Sequence, residues 1–111
     1  MLMSALGFFL LAVVLGLYLL SLVLRSKQIP KAAAMIHGFF AVAGLILLMV
    51  YPFYHTPAPI LSLILFVLAA LGGFTMAYKS ISGKPVPAWM AMGHGTLAII
   101  AVATLIVFIL V

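Results

Sequence analysis

The stretch KQIPKAAAMIHGFF, Lys27 to Phe40, has an echo in KPVPAWMAMGHGTL, Lys84 to Leu97. Both follow Lys-x-x-Pro-x-x-x-Ala-Met-x-His-Gly, with every matched residue displaced by 57 positions. Gly16 and Gly73, Ala41 and Ala98, and Gly44 and Ala101 stand at the same displacement. A fixed displacement of this kind marks one structural unit used twice, here about residues 1–55 and 58–111.

The solvent for that unit follows from composition. Of 111 residues, 69% are hydrophobic, and the only charged ones are five lysines and arginines; Asp and Glu are absent. A soluble domain draws about a quarter of its residues from charged types. This chain lacks such a surface, so most of it is expected to face lipid. The net charge of +5 gives no nucleic-acid surface, because the cations sit between apolar spans and form no exposed basic face. The absence of cysteine excludes disulfides, thiolate metal sites and covalently attached c-type haem.

Four apolar segments are predicted, at about Met3 to Leu24, Pro30 to Tyr51, Pro59 to Tyr78 and Pro87 to Val111. Each approaches the ~20 residues that span a bilayer as a helix, and only helices or closed barrels satisfy their backbone there. Pro30, Pro59 and Pro87 stand at helix starts, where a missing N–H is harmless. The first segment lacks a basic leader and a small-residue cleavage site, and is read as a membrane helix rather than a signal peptide. Arg25, Lys27 and Lys31 cluster at the first break, Lys79 and Lys84 at the third, and none lies in the aromatic break Tyr51 to Pro59. The positive-inside rule therefore puts the first and third breaks in the cytoplasm and both termini outside, with a bacterial inner membrane as the expected location. Tyr51, Phe53 and Tyr54 would join the outer aromatic belt and Trp89 the inner one. The expected fold is an all-α integral membrane bundle. One domain, 1–111, comprises two tandem hairpins in the same orientation, a parallel repeat about a pseudo-twofold along the membrane normal.

A histidine within a membrane helix is expensive and is expected to face the bundle interior with a partner. His37 and His94 each lie seven residues past a helix-starting proline, ~10 Å below the cytoplasmic end at ~1.5 Å per residue. Their neighbours at −3 and +4 are Ala34 and Ala41 on one helix, and Ala91 and Ala98 on the other. Gly38 and Gly95 follow them directly. Small residues serve close helix packing, or they leave room for something flat between two facing imidazoles, as in bis-histidine haem ligation. Gly16 and Gly73 remove side chains near the same depth on the odd-numbered helices, where a porphyrin edge would press. Lys27 and Lys84 stand ten residues before each histidine, placed to pair with haem propionates at the water interface; positive-inside anchoring accounts equally for their charge.

Lys27-x-x-Pro30…His37-Gly38 and Lys84-x-x-Pro87…His94-Gly95 resemble the scheme of small four-helix transmembrane b-type cytochromes of the cytochrome b561 kind. The resemblance is architectural and covers most of the chain. It implies haem b held by histidines on paired helices beside glycines and basic residues. Members typically carry two haems on four histidines, whereas this chain has in-membrane histidines for one intrachain haem.

Other readings of the same residues stay open. The pair could hold a small copper or zinc ion, although no carboxylate or thiol completes a shell, or act as a structural or proton-relay pair. Met35 and Met92, two residues from each histidine, point to another face and are expected to pack. His55 reads as a solvated interfacial histidine, with a quinone or redox-partner site as the alternative. Small multidrug transporters match the chain in size but depend on a membrane glutamate, which is absent here. The expected function is one-electron transfer by a b-type cytochrome with His37 and His94 as iron ligands, passing electrons to or from a quinone or redox-protein partner. A homodimer is compatible with the small-residue stripes. The alternatives are haem transport, storage or sensing, and a haem-free membrane scaffold or accessory subunit.

Overall fold

The computed structural model describes residues 1–111. Its helices are α1 (Leu2–Leu24), α2 (Lys31–Val50), α3 (Ile60–Ile81) and α4 (Ala88–Leu110), with a 3-10 turn at Tyr51–Phe53 after α2. All four are long and apolar enough to cross a membrane. They form a bundle 43 Å long and 19 × 18 Å across, longer than a ~30 Å hydrocarbon core. Each helix packs on its hairpin partner, α1 on α2 and α3 on α4; α1 also packs on α4, and α2 touches α3 least of the four neighbouring pairs. Thus α1 lies diagonal to α3, and α2 to α4.

Local chemistry sets the helix ends. Pro30 and Pro87 are extended N-cap residues (ψ 128° and 139°), one position outside the first helical turn. The C-terminal ends of α1 and α3 are built alike, bond for bond. Lys27 N–H donates to Leu22 O and Ser26 N–H to Val23 O; Lys84 N–H donates to Lys79 O and Gly83 N–H to Ser80 O. These are Schellman caps, which require a left-handed residue between the last turn and the bond-donating residue. Ser26 (φ 54°) and Gly83 (φ 74°) supply it. Gly83 adopts that conformation at no steric cost, whereas Ser26 carries a Cβ into it. The cap explains why α3 runs to Ile81, three residues past the expected end at Tyr78. The terminator is Gly83, and the polar run beginning at Lys79 simply forms the last turn.

The inward stripes of α1 and α3 alternate steps of four and three residues, the spacing of a knobs-into-holes seam. On α1 the stripe is Ala5, Phe9, Ala12, Gly16 and Leu19; on α3 it is Ser62, Phe66, Ala69, Gly73 and Met76. The first three of each are buried, and the last two are half-buried. α2 and α4 behave alike: Leu48 and Leu105 are wholly enclosed, while His37, Ala41, His94 and Ala98 are half-buried. The main hydrophobic cluster, Ala5, Phe9, Leu48, Phe66, Ala101, Val102 and Leu105, lies in the half away from the lysines, while Leu22 and Ala91 are buried nearer the lysine end. At its centre Phe9 and Phe66 stack with ring centroids 3.7 Å apart and planes 6° from parallel. A Cβ at Gly44 would come within 3.0 Å of the Phe9 ring, so glycine there makes room for the stack. Ser62 and Thr104 share the one side chain-to-side chain hydrogen bond of this half, at 2.8 Å.

Candidate functional site

Where the main cluster ends, the histidines begin. His37 and His94, on the diagonal helices α2 and α4, approach with ring centroids 6.1 Å apart and planes 79° to one another. His37 Nδ1 lies 2.8 Å from Ala12 O on α1, and His94 Nδ1 lies 2.7 Å from Ala69 O on α3. A carbonyl oxygen only accepts, so Nδ1 carries the proton in both rings and donates it. In the neutral ring, Nε2 then keeps its lone pair. Neither Nε2 has a hydrogen-bond partner, yet no buried side-chain nitrogen in the molecule lacks one. Both Nε2 atoms are therefore accessible at the ring surfaces.

Each member of this arrangement has its counterpart 57 residues on: the histidine, the accepting carbonyl and the glycine beside the ring. A Cβ at Gly16 would stand 3.0 Å from His37 Cε1, and one at Gly73 would stand 3.2 Å from His94 Cε1. The two glycines thus seat the imidazoles themselves, and the space they clear is filled by ring edges. Gly38 and Gly95 lie about 100° round their helices from the histidines. A Cβ on either would meet nothing, so they flank the site without touching the rings.

Ala41 and Ala98 stay half-buried beside the rings, but Ala34 and Ala91 part company, the first exposed and the second buried. Lys27 and Lys84 are exposed at equivalent cap positions, on the bundle end nearer the histidines. With no carboxylate side chain in the chain, none of the five basic residues has a side-chain counter-ion. Met35 and Met92 are exposed on outer faces, as their spacing from the histidines leads one to expect. His55 lies at the opposite end of the bundle, stacked on Tyr51 with centroids 4.5 Å apart.

No group of three or more His, Cys, Asp or Glu side chains comes together anywhere. The histidine site brings together two imidazoles and no further His, Cys, Asp or Glu side chain. Sequence reasoning missed Ala12, Ala69 and the Phe9–Phe66 stack. The displacement of 57 was the available signal for Phe9 and Phe66; a backbone acceptor leaves no trace in side-chain identity. No family model matches the chain, and neither the curated proteins nor the solved structures yield a significant match.

Proposed function

We propose that the chain is an integral membrane b-type cytochrome in which His37 and His94 hold a single haem b near the lysine-bearing end. One observation carries this: two imidazoles 6.1 Å apart, each tied at Nδ1 to a backbone carbonyl and free at Nε2. With metal–imidazole bonds of ~2 Å, two rings sharing one metal have centres about 6 Å apart. A metal-ligating histidine characteristically donates its other N–H to a carbonyl or carboxylate, which fixes tautomer and ring orientation. Only two ligands are present, which argues against a bare zinc or copper centre. It suits haem, whose macrocycle supplies the other four positions.

The flanking residues divide the remaining work. The Phe9–Phe66 stack and the Leu48 and Leu105 layer close the site towards the far end, so a flat macrocycle would extend towards the lysine-bearing half. Lys27 and Lys84 are placed there to meet anionic propionates. Haem would supply reversible one-electron transfer, with His37 and His94 as the residues that would hold it. The charge contrast between the breaks puts the lysine end in the cytoplasm and both termini outside, with the hairpins as a parallel repeat. Electrons would be exchanged with a quinone or a redox protein at the cytoplasmic face.

An absorption spectrum of the purified protein expressed with ample haem tests the proposal. A Soret band and a reduced α-band are expected, and both should vanish in His37→Ala and in His94→Ala. A colourless wild type, or a spectrum indifferent to both substitutions, overturns it. The Nδ1–carbonyl bonds also favour a second reading, in which the histidines fasten α2 to α1 and α4 to α3 in a haem-free scaffold. In that case His37→Gln and His94→Gln, which keep an N–H donor, preserve function; an iron site does not survive them.

A further inference from the structure

The repeat that matches the histidine units breaks down at the cations. After α1, positions 25, 27 and 31 are Arg, Lys and Lys; their counterparts after α3, at 82, 84 and 88, are Ser, Lys and Ala. Arg25, Lys27 and Lys31 are all exposed. With Asp and Glu absent, no side chain of the molecule can neutralise them.

Only one of these side chains is held in place. Arg25 Nε donates to Ser21 O at 3.2 Å and Nη2 donates to Ser21 Oγ at 3.4 Å. Ser21 Oγ in turn donates to Tyr18 O at 2.6 Å, so its lone pairs face the arginine. A guanidinium carries five N–H donors in a rigid planar fork. Ser21 occupies the edge formed by Nε and Nη2. The other edge, between Nη1 and Nη2, has no hydrogen-bond partner, and it is the edge that meets two phosphate oxygens at once. Capping the last carbonyls of a helix is an ordinary task for arginine, but here it uses the inner edge alone.

The place of this fork identifies its partner. Leu11, Val14 and Tyr18 are exposed along the outer face of α1, and Leu11, Tyr18 and Arg25 recur every seven residues. Side chains lean towards the N-terminus of their helix, so an arginine just past the last turn reaches back over that face. Its tie to Ser21 keeps the guanidinium against the end of the span, at the level where hydrocarbon gives way to headgroups, and out of bulk water. We propose that the α1–α2 end binds the phosphate of an anionic phospholipid. Arg25 is the bidentate donor, Ser21 its positioning residue, and the acyl chains lie along Leu11, Val14 and Tyr18. Lys27 and Lys31 add attraction, since each cation near an anionic surface strengthens binding about fivefold. The proposal rests on the four spans and is independent of haem. It also asks more than positive-inside anchoring, for which any cation suffices.

The test is native mass spectrometry of the whole chain in detergent, titrated with phosphatidylglycerol and with phosphatidylcholine. One phosphatidylglycerol should bind in preference to phosphatidylcholine. Arg25→Gln and Arg25→Lys should each weaken phosphatidylglycerol binding by about fivefold, because lysine keeps the charge but has no fork. Lys84→Gln, at the hairpin end without an arginine, should change it by about twofold at most. Equal binding of the two lipids overturns the site. Unaltered binding by Arg25→Lys, or equal losses in Lys84→Gln and Arg25→Gln, also overturns it, since charge alone then suffices. Glycerophosphoglycerol, the same headgroup without acyl chains, should not compete at equal concentration; if it does, the ligand is a free phosphate ester and the lipid assignment falls.

Discussion

Replacing Gly16 by alanine puts a methyl group 3.0 Å from His37 Cε1. Carbon atoms pack best at ~3.5–4.0 Å, so the imidazole must retreat from α1 by about half an ångström or more. Ala12, whose carbonyl accepts the 2.8 Å bond from His37 Nδ1, lies one turn away on that same helix. A retreat from Gly16 therefore lengthens this bond towards the limit of hydrogen bonding. Stranding a polar group with little access to water costs about 1–3 kcal/mol. Against this, alanine gains about 1 kcal/mol over glycine within a helix. Gly72→Ala is the matched control. It too is a mid-helix glycine beside a histidine, but its Cβ would lie 3.8 Å from His94, an ordinary contact. Gly72→Ala should thus be neutral or stabilising, and Gly16→Ala should melt lower by a gap of about 1–3 kcal/mol, or ~4–12 °C. Gly73→Ala, at 3.2 Å, should fall between them. Thermal unfolding in one detergent measures the series, and haem titration should reproduce its order in affinity. If Gly16→Ala proves as benign as Gly72→Ala in both assays, the glycines do not seat the histidines.

Phe9→Ala removes half of a buried stack that glycine at position 44 accommodates, and should lower stability by about 3–5 kcal/mol in denaturant or thermal unfolding. At the duplicated caps, Ser26→Gly relieves a left-handed residue with a side chain and Gly83→Ala creates one; stability in thermal unfolding should rise and fall respectively, each by about 1 kcal/mol. Single cysteines at Ser82 and Thr56 test the orientation expected from the charges. An impermeant thiol reagent added to intact cells should label Thr56→Cys and spare Ser82→Cys, and the opposite pattern refutes the proposed orientation.

Much of this bundle was legible along the chain. The four spans, the N-cap prolines and the equal register of His37 and His94 are local properties of length, ring geometry and spacing. The one misplaced end, that of α3, was itself recoverable: shifting the end of α1 at Leu24 by 57 residues lands on Ile81. Phe9 and Phe66 were recoverable in the same way, although identical aromatics at that displacement do not announce that they stack across the bundle. The purpose of Gly16 and Gly73 was another matter. Their alignment marked them as special, but whether the cleared space held a cofactor edge or an imidazole depended on how far His37 and His94 reach across to α1 and α3.

What the sequence determined by itself is that the chain is helical and suited to lipid, that one unit is used twice, and that all its cations gather at one end. These follow from apolar runs, a missing acid complement and a fixed displacement, and no contact between distant residues is needed to see them. Only the tertiary structure decided which histidine nitrogen is tied and which is free, where the Phe9–Phe66 cluster lies, and that the two seams between hairpins pack unequally. Those depend on which atoms of separate helices meet, and residues matched at the 57-residue displacement meet different surroundings: Ala91 is buried, while Ala34 is exposed.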